Sequence, residues 1–98
     1  MVILTKNTNL KERVEKQKKK IIKREVREYK RKIIKEFKQV IKNGKPSISV
    51  KISSSVIDYD KYVAESLLEY FLKNDKYKNI QFELIELYNY YLELKIKE

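Results

Sequence analysis

The chain has 98 residues, of which 42% are hydrophobic and 39% are charged, and its formal net charge is +10. This apolar fraction is too high for a disordered polycation, so we expect a single folded domain, residues 1–98, with a charged surface. The sequence contains no Cys and no His. It therefore lacks thiolates and the commonest metal ligand and general base, and we expect a non-enzymatic protein with no cofactor and no metal site.

The first residues also bear on location. The apolar run from Val2 to Leu4 is too short for a signal peptide or a membrane span. We expect a cytoplasmic protein with no membrane partner and no small-molecule substrate.

The charge is distributed unevenly along the chain. Residues 1–45 contain 17 Lys and Arg against five Glu, a balance of +12. Residues 46–98 contain seven basic and nine acidic side chains, a balance of −2. The first half is therefore where a partner of opposite charge is expected to bind.

Residues 9–45 are predicted to form one long basic helix. Asn9 and Glu12 have the spacing of a capping box at its start, and residues 1–8 are expected to be flexible or to form a short strand. Asn43 and Gly44 predict a left-handed C-cap, and Pro46 prevents continuation.

This helix has two different faces. One predicted face is an apolar stripe with helical spacing, which should pack on the rest of the domain and consists of Ile22, Val26, Tyr29, Ile33, Phe37 and Val40. The stripe does not continue into residues 10–20, so that part should project into solvent. The opposite face carries eight cations within a sector about 80° wide. We call them the basic row: Arg13, Lys20, Arg24, Arg27, Arg31, Lys35, Lys38 and Lys42.

The basic row predicts an anionic partner. None of the five glutamates of residues 1–45 falls in its sector, although like charges at helical neighbours are destabilising. Such a row matches phosphates or an acidic protein groove, while the alternative is a solvated face with no function. Only Tyr29 and Phe37 are aromatic in this helix, and both lie on the apolar side. Contact with a nucleic-acid backbone is therefore favoured over reading of bases.

The second half, residues 46–98, is predicted to form β-α-β-β. Residues 47–53 alternate as a strand, and a helix capped by Asp58 or Ser55 should run to about Asn74. Residues 80–97 fit a hairpin or a helix, and their aromatic and β-branched content favours the hairpin. A three-residue loop, Leu87 to Asn89, would keep one apolar face by pairing Leu84 with Leu92 and Phe82 with Leu94.

We therefore predict an α+β fold. It has a three-stranded mixed sheet of order 1-3-2, with the first and second strands parallel and both helices on one face.

Two smaller groups are candidate sites. Tyr88, Tyr90 and Tyr91 lie near the predicted hairpin tip and could form a protein contact, with a packed hairpin end as the alternative. Asp58 and Asp60 could be read as a metal pair, but at a helix start they are far more often capping residues.

The arrangement resembles small proteins that are common in bacteriophages and related mobile elements. The matching parts are Ile41-Lys-Asn-Gly-Lys-Pro-Ser-Ile-Ser-Val50, Val63 to Asn74 and Ile80 to Ile96. The resemblance implies an accessory role in the contest between phage and host, in the host cytoplasm. Anti-CRISPR and other host-inhibitor proteins are examples, and they frequently occupy nucleic-acid channels.

Two functions follow as hypotheses. In the first, the basic row engages a nucleic-acid backbone or a nucleic acid–protein complex, for instance as an inhibitor of a host defence nuclease. In the second, the protein is a homo-oligomeric or host-protein-binding module, in which the first helix and the tyrosine-rich tip make protein contacts.

Overall fold

The computed structural model describes the backbone of residues 2–97 and the side chains of residues 10–97. The fold is α+β, as predicted, and a short 3-10 turn at Asp75–Tyr77 follows the second helix. The main elements, in chain order, are α1 (Val2–Lys42), β1 (Ser47–Ile52), α2 (Asp60–Lys73), β2 (Ile80–Glu86) and β3 (Tyr90–Ile96).

Helix α1 begins earlier than the sequence indicates. It starts at Val2, so residues 2–8 do not form the short strand that was one of the two expectations, and Asn9 is not the N-cap; Met1 lies outside the described residues. No Gly or Pro interrupts residues 2–42. Each residue added to an existing helix gains a hydrogen bond, so a local capping signal does not by itself stop propagation.

The C-terminal end of α1 is confirmed as a left-handed cap. Gly44 has φ of +82°, its N–H donates to the carbonyl of Ile41 at 2.9 Å, and the Lys45 N–H donates to the carbonyl of Val40 at 3.0 Å. These two bonds form a Schellman motif, which satisfies carbonyls that the helix leaves unpaired. The motif reverses the chain into β1.

The sheet has the predicted strand order, β1-β3-β2. Both hydrogen-bonded pairs are antiparallel, so the prediction of a mixed sheet is wrong. The two outer strands do run parallel to each other, as expected. However, β3 lies between them, and no parallel pair forms.

The hairpin register is the predicted one. Leu84 pairs with Leu92 and Phe82 with Leu94, and the Leu87 N–H donates to the carbonyl of Asn89 at 2.9 Å across the three-residue loop. A shift by one residue would turn every apolar side chain of β2 to the other face. Burial of one face therefore selects the loop length.

Both helices cover the same face of the sheet. The buried core contains residues from α1, α2, β1 and β3, and Val26, Tyr29, Phe82 and Leu84 pack against it. On the strands these are the even-numbered positions, while Ser49, Lys51 and Glu83 on the opposite face are exposed. The buried residues are Ile22, Ile33, Phe37, Val50, Ile52, Val63, Ala64, Leu67, Phe71, Leu92 and Leu94.

Neither predicted residue caps α2. Asp58 has φ of +68°, which is outside the extended region that N-cap residues adopt, and Tyr59 is the N-cap without a side-chain hydrogen bond. Asp60 instead accepts the Ser54 N–H at 2.6 Å. Asp58 and Asp60 therefore shape the segment between β1 and α2 and do not cap the start of α2.

Helix α1 also holds this segment. The Tyr29 hydroxyl donates to the Ser53 carbonyl and accepts the Ser53 N–H, both at 3.0 Å. The Glu25 carboxylate accepts the Ser54 hydroxyl at 2.8 Å and the Ser55 N–H at 2.9 Å. These bonds join α1 to the start of α2 and so help to fix the space between the two helices.

The Gly44 cap supports a stability prediction. A Cβ at this position would meet no atom within 4 Å, so only the left-handed backbone opposes a side chain. Gly44→Ala should lower the free energy of unfolding by about 1–2 kcal/mol, measured by urea denaturation. Gly44→Asn is the control and should lose less, because Asn tolerates this conformation. An Ala variant as stable as the wild type would contradict the assignment.

Candidate nucleic-acid interface

The basic row lies fully on the outer surface of α1. All eight of its members are exposed, because the opposite side of the helix places Ile22, Ile33 and Phe37 in the core. From Lys20 to Lys42 the row is about 33 Å long at the rise of an α-helix. Packing of the apolar stripe thus presents one continuous line of positive charge to solvent.

Little acidic charge neutralises the row. Among the described side chains, its one ion pair joins Arg24 Nε to Glu28 Oε1 at 3.9 Å, and both residues are well exposed. Two other acids of α1 are engaged elsewhere. Glu25 binds the segment before α2, and Glu15 pairs with Lys18 at 3.5 Å. The folded structure therefore keeps most acidic side chains away from the basic row, as the spacing along the helix predicts.

A second feature, which the sequence reasoning missed, adjoins the row. Two open cavities of about 740 Å³ and 530 Å³ lie between α1 and α2, and both are lined by Arg27 and Lys30. We call them together the α1–α2 groove. The larger one, which we call the upper cavity, lies nearer the N-terminal end of α1 and is also lined by Lys19 and Lys23 on one side and by Tyr59 and Tyr62 on the other. The lower one contains Arg31, Lys35 and Lys38 facing Tyr70 and Tyr77.

The two walls of the groove differ in chemistry. The α1 wall is mainly cationic, with Glu15 as its one acid and with Ile22, Val26 and Ile34 at its base, and the opposite wall is formed largely by phenol rings from α2 and the turns on either side of it. The Lys30 ammonium lies 3.7 Å from the centre of the Tyr70 ring, a close cation–π contact. Four members of the basic row, Arg27, Arg31, Lys35 and Lys38, border this groove.

A sequence signal for the tyrosine wall did exist. Tyr59, Tyr62, Ser66 and Tyr70 are spaced by 3, 4 and 4 residues, which places them along one side of a helix. The prediction against base stacking depends only on Tyr29 and Phe37 of α1, whereas these rings approach the cations of α1 from another element.

The structure does not bring Tyr88, Tyr90 and Tyr91 together. Tyr88 is fully exposed at the hairpin tip. Tyr90 points to the helix side, packs against the core and donates to Glu86 Oε1 at 3.1 Å. Tyr91 occupies the opposite sheet face in register with Lys51. Only Tyr88 remains available at the tip for a protein contact.

Other kinds of site have little support in the described part of the chain. Among residues 2–97, no group of three or more acidic side chains is placed to hold a metal ion. No helix in the same range is both long and apolar enough to cross a membrane.

Comparison with known proteins gives no relative. No protein-family model, curated protein or solved structure matches this chain. The resemblance to small phage proteins stays a prediction.

The tyrosines at the groove support a prediction on pH. Burial raises the pKa of Tyr77 above its ordinary value, and the neighbouring Tyr70 adds to the shift. The folded protein thus holds this proton more tightly than the unfolded chain does. This difference in pKa stabilises the folded state below a pH of about 10, and the stabilisation is lost as pH rises through the higher pKa that Tyr77 has in the folded protein.

Replacing Tyr77 by Phe should therefore reduce the loss of stability at alkaline pH. The measurement is the free energy of unfolding of both proteins by urea at about pH 8 and pH 10.5. The wild type should lose more stability between the two conditions than Tyr77→Phe. Equal losses would contradict the raised pKa.

Proposed function

We propose that this protein is a non-enzymatic binding protein whose basic row engages the phosphate backbone of a nucleic acid. The observation that carries the proposal is the exposure of all eight cations in one line, with a single, solvent-exposed ion pair to the row among the side chains of residues 10–97. The nucleic acid could be free or part of a nucleoprotein assembly, as in inhibition of a host defence nuclease.

Electrostatics supports a polyanionic partner. Cations at i,i+3 and i,i+4 repel one another on an isolated helix surface, and phosphates remove this repulsion while releasing their condensed counterions. The row from Lys20 to Lys42 is about 33 Å long, close to one turn of duplex DNA, about 34–36 Å. A straight cationic helix face of this length can contact several phosphates at once.

The salt dependence of binding tests this proposal. Contact of five or six cations with phosphates gives a slope of log K against log salt of about −4.5 to −5.5 for duplex DNA and about −3.5 to −4 for a single strand. The measurement is fluorescence anisotropy with labelled oligonucleotides. No affinity for any nucleic acid at about 50–100 mM salt would overturn the proposal.

Charge reversal gives a second test. The triple variant Arg24→Glu, Arg27→Glu, Arg31→Glu should abolish binding without unfolding the domain, because all three side chains are exposed. The matched control is Lys78→Glu, Lys95→Glu, Lys97→Glu, three exposed cations of the second half. Each triple lowers the net charge of +10 by six units, to +4. Equal weakening by both triples would mean that net charge, not the basic row, drives binding.

A second candidate function is self-association through α1. The molecule measures 64 × 29 × 18 Å, and its long dimension matches the length of a 41-residue helix, about 60 Å. Residues 10–17 are all exposed, including Leu10 at 54% and Val14 at 51%. Two apolar side chains on an unsupported helix segment favour contact with the same segment of another copy.

Light scattering combined with Leu10→Lys, Val14→Lys distinguishes the two candidates. A monomer that binds nucleic acid in a salt-dependent manner supports the first. A dimer or larger species that dissociates in the double variant and binds no nucleic acid supports the second.

A further inference from the structure

The α1–α2 groove combines two features that the basic row alone does not have. Its α1 wall continues the positive charge of the row through Arg27, and its α2 wall offers aromatic rings. Phosphates need only the first of these features. The second suits a partner that presents flat, unsaturated faces next to its negative charges.

Tyr62 is the most accessible ring of this wall. It is 56% exposed, although it lies beside the half-buried Tyr59, whose ring meets it edge to face at 6.2 Å between centroids. The Tyr59 ring is itself held against the protein body. The edge contact therefore limits the orientations of the Tyr62 ring and leaves much of its surface open to the groove.

The cations stand opposite this ring. Lys19, Lys23 and Arg27 line the same cavity as Tyr62, and the cationic wall continues into the lower cavity as far as Lys38. From Lys19 to Lys38 the groove follows α1 for about 29 Å. At about 3.4 Å per phosphate this length accommodates up to about eight stacked nucleotides.

These features favour one class of occupant. In a duplex the base faces are stacked on one another, so Tyr62 could not reach them. An acidic peptide would satisfy the cations but has no need of an exposed ring. A single strand satisfies both walls, because its phosphates face cations while its unstacked bases stack on aromatic side chains.

We propose that the α1–α2 groove binds single-stranded nucleic acid, with the backbone along the α1 cations and a base stacked on Tyr62. This inference rests on the proposed function, since it assigns the form of nucleic acid that α1 engages. Discrimination in favour of a single strand comes from the ring, and the salt-dependent part of the affinity comes from the α1 cations of the groove, four of which belong to the basic row.

The test compares Tyr62 variants on three probes of about twelve nucleotides. The probes are single-stranded DNA, single-stranded RNA and the corresponding DNA duplex. Tyr62→Ala should weaken binding of the single strands about 5-fold to 150-fold, since stacking of one base contributes about 1–3 kcal/mol. Tyr62→Phe keeps the ring and should stay close to the wild type. The two single-stranded arms show which sugar the groove prefers.

The matched control is Tyr88→Ala. It removes a tyrosine that is still more exposed than Tyr62 but lies at the hairpin tip, away from the groove, and should leave affinity for all three probes unchanged.

The Tyr62→Trp variant reports stacking directly. The chain contains no Trp, so this substitution introduces a single tryptophan at the groove. Single strands should quench its emission and bind at least as tightly as they bind the wild type, while the duplex should leave the emission unchanged.

The results separate the two proposals. If charge reversal at Arg24, Arg27 and Arg31 abolishes binding but Tyr62→Ala has no effect, the row binds nucleic acid and the groove inference is wrong. Quenching by duplex equal to that by single strands, or displacement of the oligonucleotide by polyglutamate at equal charge concentration, would also overturn the inference. If no probe binds at all, both proposals fail.

Discussion

The burial of Ile33 and Phe37 of α1 against the sheet and α2 is the contact on which the other surfaces depend. A helix has only one rotation about its axis at which an apolar stripe is removed from water. Once that rotation is set, the charged side faces solvent along its whole length. The orientation of the basic row is thus a consequence of core packing, and no separate interaction is needed to fix it.

The same contact places α1 beside α2. The hydrogen bonds from Tyr29 and Glu25 to residues 53–55 add directional constraints, and α2 then follows α1 closely enough to form a groove but not close enough to fill it. Arg27, Arg31, Lys35 and Lys38 belong both to the basic row and to the groove wall. One helix therefore serves two adjoining surfaces with different chemistry.

Local patterns predicted much of this fold. Alternation in β1 and β3, helical spacing in α1 and α2, and the Asn43-Gly44 signal each depend on a few neighbouring residues, and the structure confirms them. The start of α1 was mispredicted because Asn9 and Glu12 are a favourable capping pair that a continuing helix can override. The groove was missed for a different reason: its two walls come from residues about 40 positions apart, and only the packing of α1 on α2 brings Tyr62 opposite Lys23.

The cations of α1 differ in how firmly the helix beneath them is held by the core. The side chains of residues 10–17 are all exposed and do not pack on the core. The backbone amides of this segment can therefore open and exchange with solvent while the domain stays folded. From Ile22 onward, opening requires the core to separate. If the basic row binds a partner as proposed, Arg13 can follow a path that curves away from the helix axis, whereas Arg24 to Lys42 present a rigid surface.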